Sequence, residues 1–446
     1  MTRGPIAGKF IRFVIPLIIT NLMQQFYTLA DNAVVGQFAG KAALAAVGAT
    51  TSSTTLILNL LIGLSIGSSI VNANLLGRGD KDALSRSMHC AIPFALLGGL
   101  LVSVVGLFIT PLMLDLTKCP ENIRHDAIIY MRIIFCGAPG TLLYNVGSGI
   151  LRTHGDSKRP MYIMAISGLT NVLLNLVFVI VFKMAVVGVA LATIISKYLS
   201  ATCVILTLVN PKNGYNMQLR NMKLRKKEAW EILRVGIPCG INSTVFHFAN
   251  TIVQTGVNQL GDTVIAGGVA ASNTVNLIYQ VEAAIYTGCI NFVGQSFGAG
   301  KYRRIDKIAG FALGLCLTFT IIAATLITFI PHVFISIFNT DPEVIDSGVQ
   351  KLVLMAWSYV LYGISEVLMG SLRGMKQTAI PSLINMFCIC GVRVAWILFI
   401  LPFDPTNQLF LYSCYPISYI LSILAIGSFF LHFRKKIHAQ SQVHVA

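Results

Sequence analysis

The chain has 446 residues, of which 55% are hydrophobic and 11% charged, with mean hydropathy +0.74. A soluble domain carries about 25% charged residues, so soluble globular enzymes and binding modules are excluded and a polytopic membrane protein is left. The net charge of +16 would suit a nucleic-acid partner, but its distribution along the chain excludes one, as follows.

An apolar stretch of about 20 residues crosses a bilayer as a helix. Twelve are predicted, at 11–37, 44–75, 88–115, 126–151, 160–182, 185–209, 230–258, 263–297, 308–338, 347–371, 380–401 and 408–433. The first is expected to be retained and not cleaved as a leader, because Asn21, Gln24, Gln25 and Asp31 interrupt its apolar run. Most basic residues outside the spans fall on the side shared by both termini, from Arg3 and Lys9 through the run at Arg225, Lys226 and Lys227 to Arg434, Lys435 and Lys436. The opposite side holds Lys41, Lys118, Arg124, Lys183 and Lys351. The positive-inside rule then puts both termini in the cytoplasm, and the basicity reflects topology and anionic lipid.

The first span carries Asp31 in an otherwise apolar helix. An ionised Asp at membrane depth costs about 2.5 to 3.5 kcal/mol on insertion scales, so it faces a water-filled or protein-lined cavity. At roughly 100° per residue, Thr20, Gln24, Tyr27, Thr28 and Asp31 form one polar stripe. Pro16 lacks an N–H and offers a kink or hinge about 22 Å along the helix from Asp31. In the fifth span Ser167, Asn171 and Asn175 share a face. The two asparagines either complete a polar site or bond neighbouring helices.

The basic segment 210–229 separates an N-lobe, 1–209, from a C-lobe, 230–446. The lobes are copies: Gly40, Gly67, Gly77 and Gly79 recur as Gly261, Gly288, Gly298 and Gly300, an offset of 221, and Leu151-Arg152 with Pro160 recurs as Leu372-Arg373 with Pro381. Six spans separate equivalent positions, so the copies share one orientation. The expected fold is an all-α polytopic membrane protein, two six-helix bundles related by a pseudo-twofold axis along the membrane normal. Parallel repeats of this kind point to a transporter with its substrate site between the halves. A channel, or a membrane enzyme, is the alternative from another class.

The second lobe has Val253 where the first has Asp31. Its first span presents His247, Asn250 and Gln254 on one face, and His titrates near neutral pH. Two further acids lie at depth: Glu282, flanked by Tyr279 and Tyr286, and Glu366, near Tyr359 and Tyr362. By helical rise Arg393 can reach either acid; an Arg393–Glu366 ion pair is expected, because an unpaired arginine there is costly. Glu282 is then left to attract a cationic ligand, with cation–π help from its tyrosines. The ten cysteines have no disulfide or metal spacing and read as small apolar fillers. The stretch Gly294 to Lys301 fails as a phosphate loop in spacing and in having Tyr302 for Ser or Thr, so no nucleotide is expected.

The stretches IPLIITNLMQQFYTLADNAVVGQFAG, ANLLGRGD with GQSFGAGK, GILRTHGDSKRP with GSLRGMKQTAIP, and VVGVALATIIS resemble the multidrug and toxic compound extrusion (MATE) family, bacterial type, in both halves and in order. The resemblance implies efflux of cationic amphipathic compounds across the cell membrane, driven by antiport of protons or sodium. It implies that Asp31 binds the coupling cation, with Thr28, Asn171 and Asn175 completing that site, and that Pro16 lets the first helix bend. It leaves Gln24, Tyr27, His247, Asn250, Gln254, Tyr279, Glu282, Tyr286 and Glu366 as substrate contacts, with Glu282 or Glu366 as alternative ion sites. Many relatives have Asp where Asn175 stands; one acid fewer weakens a sodium cage of hard oxygens, so a proton is expected ahead of sodium. Neither cofactor nor metal is expected, nor any enzymatic activity; the partners are drugs and lipid, and the protein is a monomer. A lipid-linked sugar flippase of the same fold is the alternative cargo reading, though it wants an arginine-rich cavity.

Overall fold

The computed structural model describes residues 1–443 apart from Lys118 and Asn216, without the side chains of Lys41, Ala42, Ser52 and 440–443. The charges of Lys41 and Lys118, used above for topology, therefore lie outside the described side chains. Among the described residues the secondary structure is helical and contains no strand.

In the first half the helices are α1 (Ile6–Val34), α2 (Lys41–Arg78), α3 (Lys81–Leu116), α4 (Glu121–Cys136), α5 (Ala138–Thr153), α6 (Lys158–Leu176) and α7 (Ala185–Val209). The second half has α8 (Lys226–Val257), α9 (Asp262–Gly298), α10 (Tyr302–Phe329), α11 (Pro331–Ser336), α12 (Pro342–Gly374), α13 (Ala379–Asn385), α14 (Val392–Ala395), α15 (Gln408–Tyr412) and α16 (Cys414–Val443). Each of the twelve predicted spans coincides with one of these or with a contiguous pair. Among the described residues, ten are long and apolar enough to cross a membrane. Helices α8 and α9, at 32 and 37 residues, have the length, but the polar residues along them dilute every window. Outward side chains are apolar, as hydrocarbon demands: Leu101, Phe108, Phe329 and Phe403 are among the exposed ones.

The repeat is written into the backbone. Left-handed residues end matched elements in both halves: Gly40 with Gly261 (φ 91° and 93°), Gly79 with Gly300 (77° and 68°), and Gly155 with Lys376 (90° and 61°). Each pair is 221 apart. Glycine adopts φ > 0 at no steric cost, and the turn at Lys376 holds against that preference.

The chain packs as two compact units, Ile15–Gly240 and Met1–Val14 with Ile241–Ala446, called here the N- and C-terminal units. Packing thus follows the repeat except at the start of each half, where the first turns of α1 and α8 are exchanged. Within the N-terminal unit α2 meets the start of α8 through glycines. A Cβ on Gly63 would stand 2.2 Å from the Gly240 nitrogen, and one on Gly67 2.6 Å from the Gly236 Cα, so small residues set this helix contact. In the C-terminal unit Phe10 sits edge-on to Phe292 and Phe311, at 5.1 and 5.8 Å.

The segment between the halves is pinned to the N-terminal unit. The Gln218 N–H donates to His89 Nε2 at 3.0 Å, the Arg225 N–H to Cys90 Sγ at 3.4 Å, and the Tyr215 hydroxyl to Asp156 at 2.9 Å. Burial and the Asp156 carboxylate push the Tyr215 phenol up to about 12, so it stays a donor at neutral pH.

Candidate functional site

Four helices of the N-terminal unit enclose a polar cavity of about 330 Å³. From α1 come Gln24, Tyr27, Thr28 and Asp31, from α5 Thr141, Tyr144 and Asn145, from α6 Met164, Ser167, Gly168 and Asn171, and from α7 Thr193, Ser196, Lys197 and Ser200. The stripe read from α1 is therefore real, since successive turns carry its polar residues to one face.

Asp31 accepts a hydrogen bond from Asn175 Nδ2, which also donates to Asn171 Oδ1 at 3.4 Å. Asn175 is fully buried and its Oδ1 has no hydrogen-bond partner among the described residues. Both helices loosen just past this pair, α1 into a π-helical segment at Val35–Ala39 and α6 into one at Val177–Val181. Such segments free backbone groups and are frequent at functional sites. Thr28 turns its hydroxyl to its own helix, at the Gln24 carbonyl, 3.1 Å away. Ser167 ties α6 to α7 by donating to the Ser196 carbonyl at 2.6 Å.

Tyr27 is placed by an absence. Its ring lies where a side chain on Gly168 would be, with an added Cβ 1.7 Å from the ring, and its hydroxyl donates to the Ala165 carbonyl at 3.2 Å. Glycine at 168 is thus required for α1 and α6 to close on the cavity.

Sequence reasoning passed over Lys197. It lies midway along α7, 12 residues from either end, and lines the same cavity as Asp31. A lysine at the centre of an apolar span is a signal in itself, and this one directly follows the stretch VVGVALATIIS.

The C-terminal unit arranges its polar interior differently, and the expected Arg393–Glu366 ion pair is not made. Arg393 is fully buried and donates from Nη1 to Asn250 Oδ1 at 2.6 Å and from Nε to Ser418 at 3.4 Å. Its guanidinium lies over Tyr415, Tyr419 and Phe246 at 4.2, 5.2 and 5.5 Å. Depth along a helix allowed the pair, but direction around the helix forbids it: Glu366 on α12 faces Tyr362 and Arg373. Arg373 in turn donates to the Tyr286 hydroxyl and lies over that ring at 5.5 Å. Asn250 and Tyr286 are therefore both engaged by arginines of their own unit.

Glu282 is 1% exposed and neither carboxylate oxygen has a hydrogen bond among the described residues. A Cβ on Gly363 would come within 3.0 Å of Oε1, so that glycine makes room for it. Tyr279 stacks loosely on Tyr362 at 6.1 Å. Gln254 bonds Asn258 one turn on, at 2.9 Å, and His247 stands half-buried beside Phe246. Pro16 lies inside an unbroken α1, with Thr20 donating to its carbonyl at 2.7 Å.

Known proteins resemble the whole arrangement. The MatE family profile matches the chain twice, at residues 16–177 and 238–397, one copy in each half. A probable multidrug resistance protein of Bacillus subtilis, YoeA, is 27% identical over 95% of this chain and 93% of its own length. A probable multidrug resistance protein of Thermotoga maritima, NorM, is 26% identical over 87% of this chain and 84% of its own. Among solved structures, the outward-facing conformation of a multidrug resistance MATE family transporter superposes with TM-score 0.89 at 22% identity, covering 99% of this chain and 98% of that one. Two profile copies in register with the backbone repeat, and relatives matched nearly end to end, place this all-α, multi-pass membrane protein in the MATE family of transporters.

Proposed function

We propose that this transporter is a secondary multidrug exporter of the cell membrane, with both termini cytoplasmic, moving amphipathic cations out by antiport. One observation carries the reading: a single carboxylate, Asp31, bonded to a buried asparagine at the wall of a polar cavity.

The coupling ion we assign is the proton, ahead of sodium, without cofactor or metal. An ionised Asp31 accepts from Asn175 Nδ2. A protonated Asp31 carries an O–H that needs an acceptor, and Asn175 Oδ1 is a buried acceptor with no donor among the described residues. An amide offers both a donor and an acceptor, so Asn175 serves either state of the acid, which a second carboxylate would not do at low cost. A sodium ion prefers several hard oxygens, and Thr28, Asn171 and Asn175 supply only neutral ones.

In this cycle the drug leaves when Asp31 takes an outside proton, and Pro16 gives α1 its bend. Moving one charge across the membrane contributes about 2.3 kcal/mol per 100 mV, enough for useful accumulation. A flippase of the same fold needs guanidinium groups open to a pyrophosphate, whereas Arg393 commits its own to Asn250, Ser418 and three rings. Reconstituted vesicles with a proton gradient alone and a sodium gradient alone test the reading. Uptake of a fluorescent cation is expected under the proton gradient and lost in Asp31→Asn; uptake unchanged in that variant ends it.

A further inference from the structure

Three cations of the C-terminal unit meet on one short run of backbone. Lys9, near the start of α1, donates to the Arg3 carbonyl at 2.8 Å. Lys301, at the head of α10, donates to the Thr2 carbonyl at 3.0 Å, and Arg304, one turn on, to the Met1 carbonyl at 3.0 Å. Consecutive Cα atoms are about 3.8 Å apart, so three successive carbonyls gather three like charges. An ammonium has three donors and a guanidinium five. Most of these are unspent, and Arg304 Nε is buried with no hydrogen bond among the described residues. None of the three cations has an ion pair among the described residues. The nearby acid of α10, Asp306, is taken by Arg434 at 2.8 Å and His438 at 3.0 Å.

Topology does not account for this gathering. The positive-inside rule acts on both copies, yet the N-terminal copy has Asp80, Asp82 and Ala83 where α10 has Lys301, Arg303 and Arg304. With Pro16 set against Pro238, it also has Glu231 where α1 has Lys9. Asp80 caps α3 by accepting from the Ala83 N–H at 2.9 Å, whereas no side chain caps α10. Two cations of that copy are paired, Arg86 with Glu228 and Arg159 with Asp156, both at 3.3 Å.

We propose that Lys9, Lys301 and Arg304 form a binding site for the phosphate of an anionic lipid, at the membrane surface where α1 and α10 begin. A phosphate has oxygens for the unspent donors, and charge-assisted bonds of this kind are strong. Inorganic phosphate offers the same chemistry, but the surroundings favour a lipid. Just past Lys9 on α1, Ile11 is 37% exposed, and a Cβ on Gly8 or Gly310 would meet nothing within 4 Å. Open apolar helix surface thus runs on from the charges into the membrane. The exposed Arg3, Arg303 and Lys307 add attraction for an anionic headgroup. A lipid so held ties the first turns of α1 to α10, whatever the cargo and coupling ion.

Native mass spectrometry of the full-length protein in mild detergent tests the site, with phosphatidylglycerol or phosphatidylcholine titrated in. The wild type is expected to retain one phosphatidylglycerol at least about tenfold more tightly than phosphatidylcholine. The triple variant Lys9→Gln, Lys301→Gln, Arg304→Gln is expected to lose that preference. The variant Lys223→Gln, Lys226→Gln, Lys227→Gln, which removes the same charge from the segment between the halves, should stay within about twofold of wild type. Exchanging the three cations for one another, Lys9→Arg, Lys301→Arg and Arg304→Lys, keeps the charge and should stay within about threefold. Lys301→Gln alone, at an exposed side chain that folding does not need, should cost about threefold. The proposal is overturned if both Gln triples weaken the lipid equally, which marks diffuse attraction, or if neither does. It is overturned equally if the charge-keeping exchange loses as much as the Gln triple, or if millimolar inorganic phosphate releases the lipid, which makes the ligand free phosphate.

Discussion

The two units carry the same backbone and opposite interiors. In the N-terminal unit α1 brings Asp31 to Asn175 on α6, around open space. In the C-terminal unit the corresponding helix α8 brings Asn250 to Arg393, and the guanidinium and three rings occupy the place themselves. The position matching Lys197 is Ser418, itself a partner of Arg393. A repeat therefore conserves helix ends and close approaches, which depend on glycines and φ angles, while the polar residues facing inward are free to build a cavity in one copy and a plug in the other.

Replacing the acid should break this contrast most severely. Asp31→Asn leaves Asn175 bonded to an amide that no longer takes a proton, and proton-driven uptake should fall at least about tenfold, the scale of a lost charge-assisted step of about 1.4 kcal/mol. Measured in vesicles, uptake at wild-type rate would remove Asp31 from coupling.

Arg393→Ala tests the plug. It strands the Asn250 carbonyl and opens a void among aromatic rings, so a loss of about 3 kcal/mol of stability is expected, read as a lower thermal midpoint, with Lys197→Met changing it far less. Equal effects would mean that both cations are structural.

Gly168→Ala sharpens the geometry of the open side. Its methyl would overlap the Tyr27 ring, so stability should fall by about 1 to 3 kcal/mol and dye affinity with it. The double variant with Tyr27→Ala should recover stability, and its failure to do so would place the clash elsewhere.

The smallest effect lies outside both interiors and separates background from coupling in pH experiments. His154 is present only in the N-terminal copy, its counterpart being Met375. Burial lowers its affinity for a proton, and its ring packs on Tyr215 at 5.3 Å. A base disfavoured as a cation in the folded state binds fewer protons there than when unfolded. Stability is thus unaffected above the usual histidine range, near pH 6.5, and declines as pH falls through it. His154→Gln should flatten that decline in a thermal-midpoint profile; an unchanged profile would assign it to another group.

The element order, the twelve spans, the repeat and the stripe from Gln24 to Asp31 were legible in the sequence, because hydropathy and helical period are local properties and 221-residue spacing survives divergence. That Asn175 bonds Asp31, with Asn171 bonded to Asn175 in turn, was legible only through family resemblance. Which acid pairs with Arg393 was not legible at all: rise along a helix can be counted from the chain, but azimuth comes from packing, and packing turned Arg393 to Asn250 and Glu366 to Tyr362. The exchange of the first turns of α1 and α8 between units was invisible for the same reason.

The sequence by itself determined a two-copy helical membrane protein with one acid in the first span, since burying apolar surface and satisfying backbone hydrogen bonds in lipid leave little other choice. Only the tertiary structure decided that Lys197 shares a cavity with Asp31, because the two lie on helices far apart in sequence and meet only when α1, α5, α6 and α7 close around the same space.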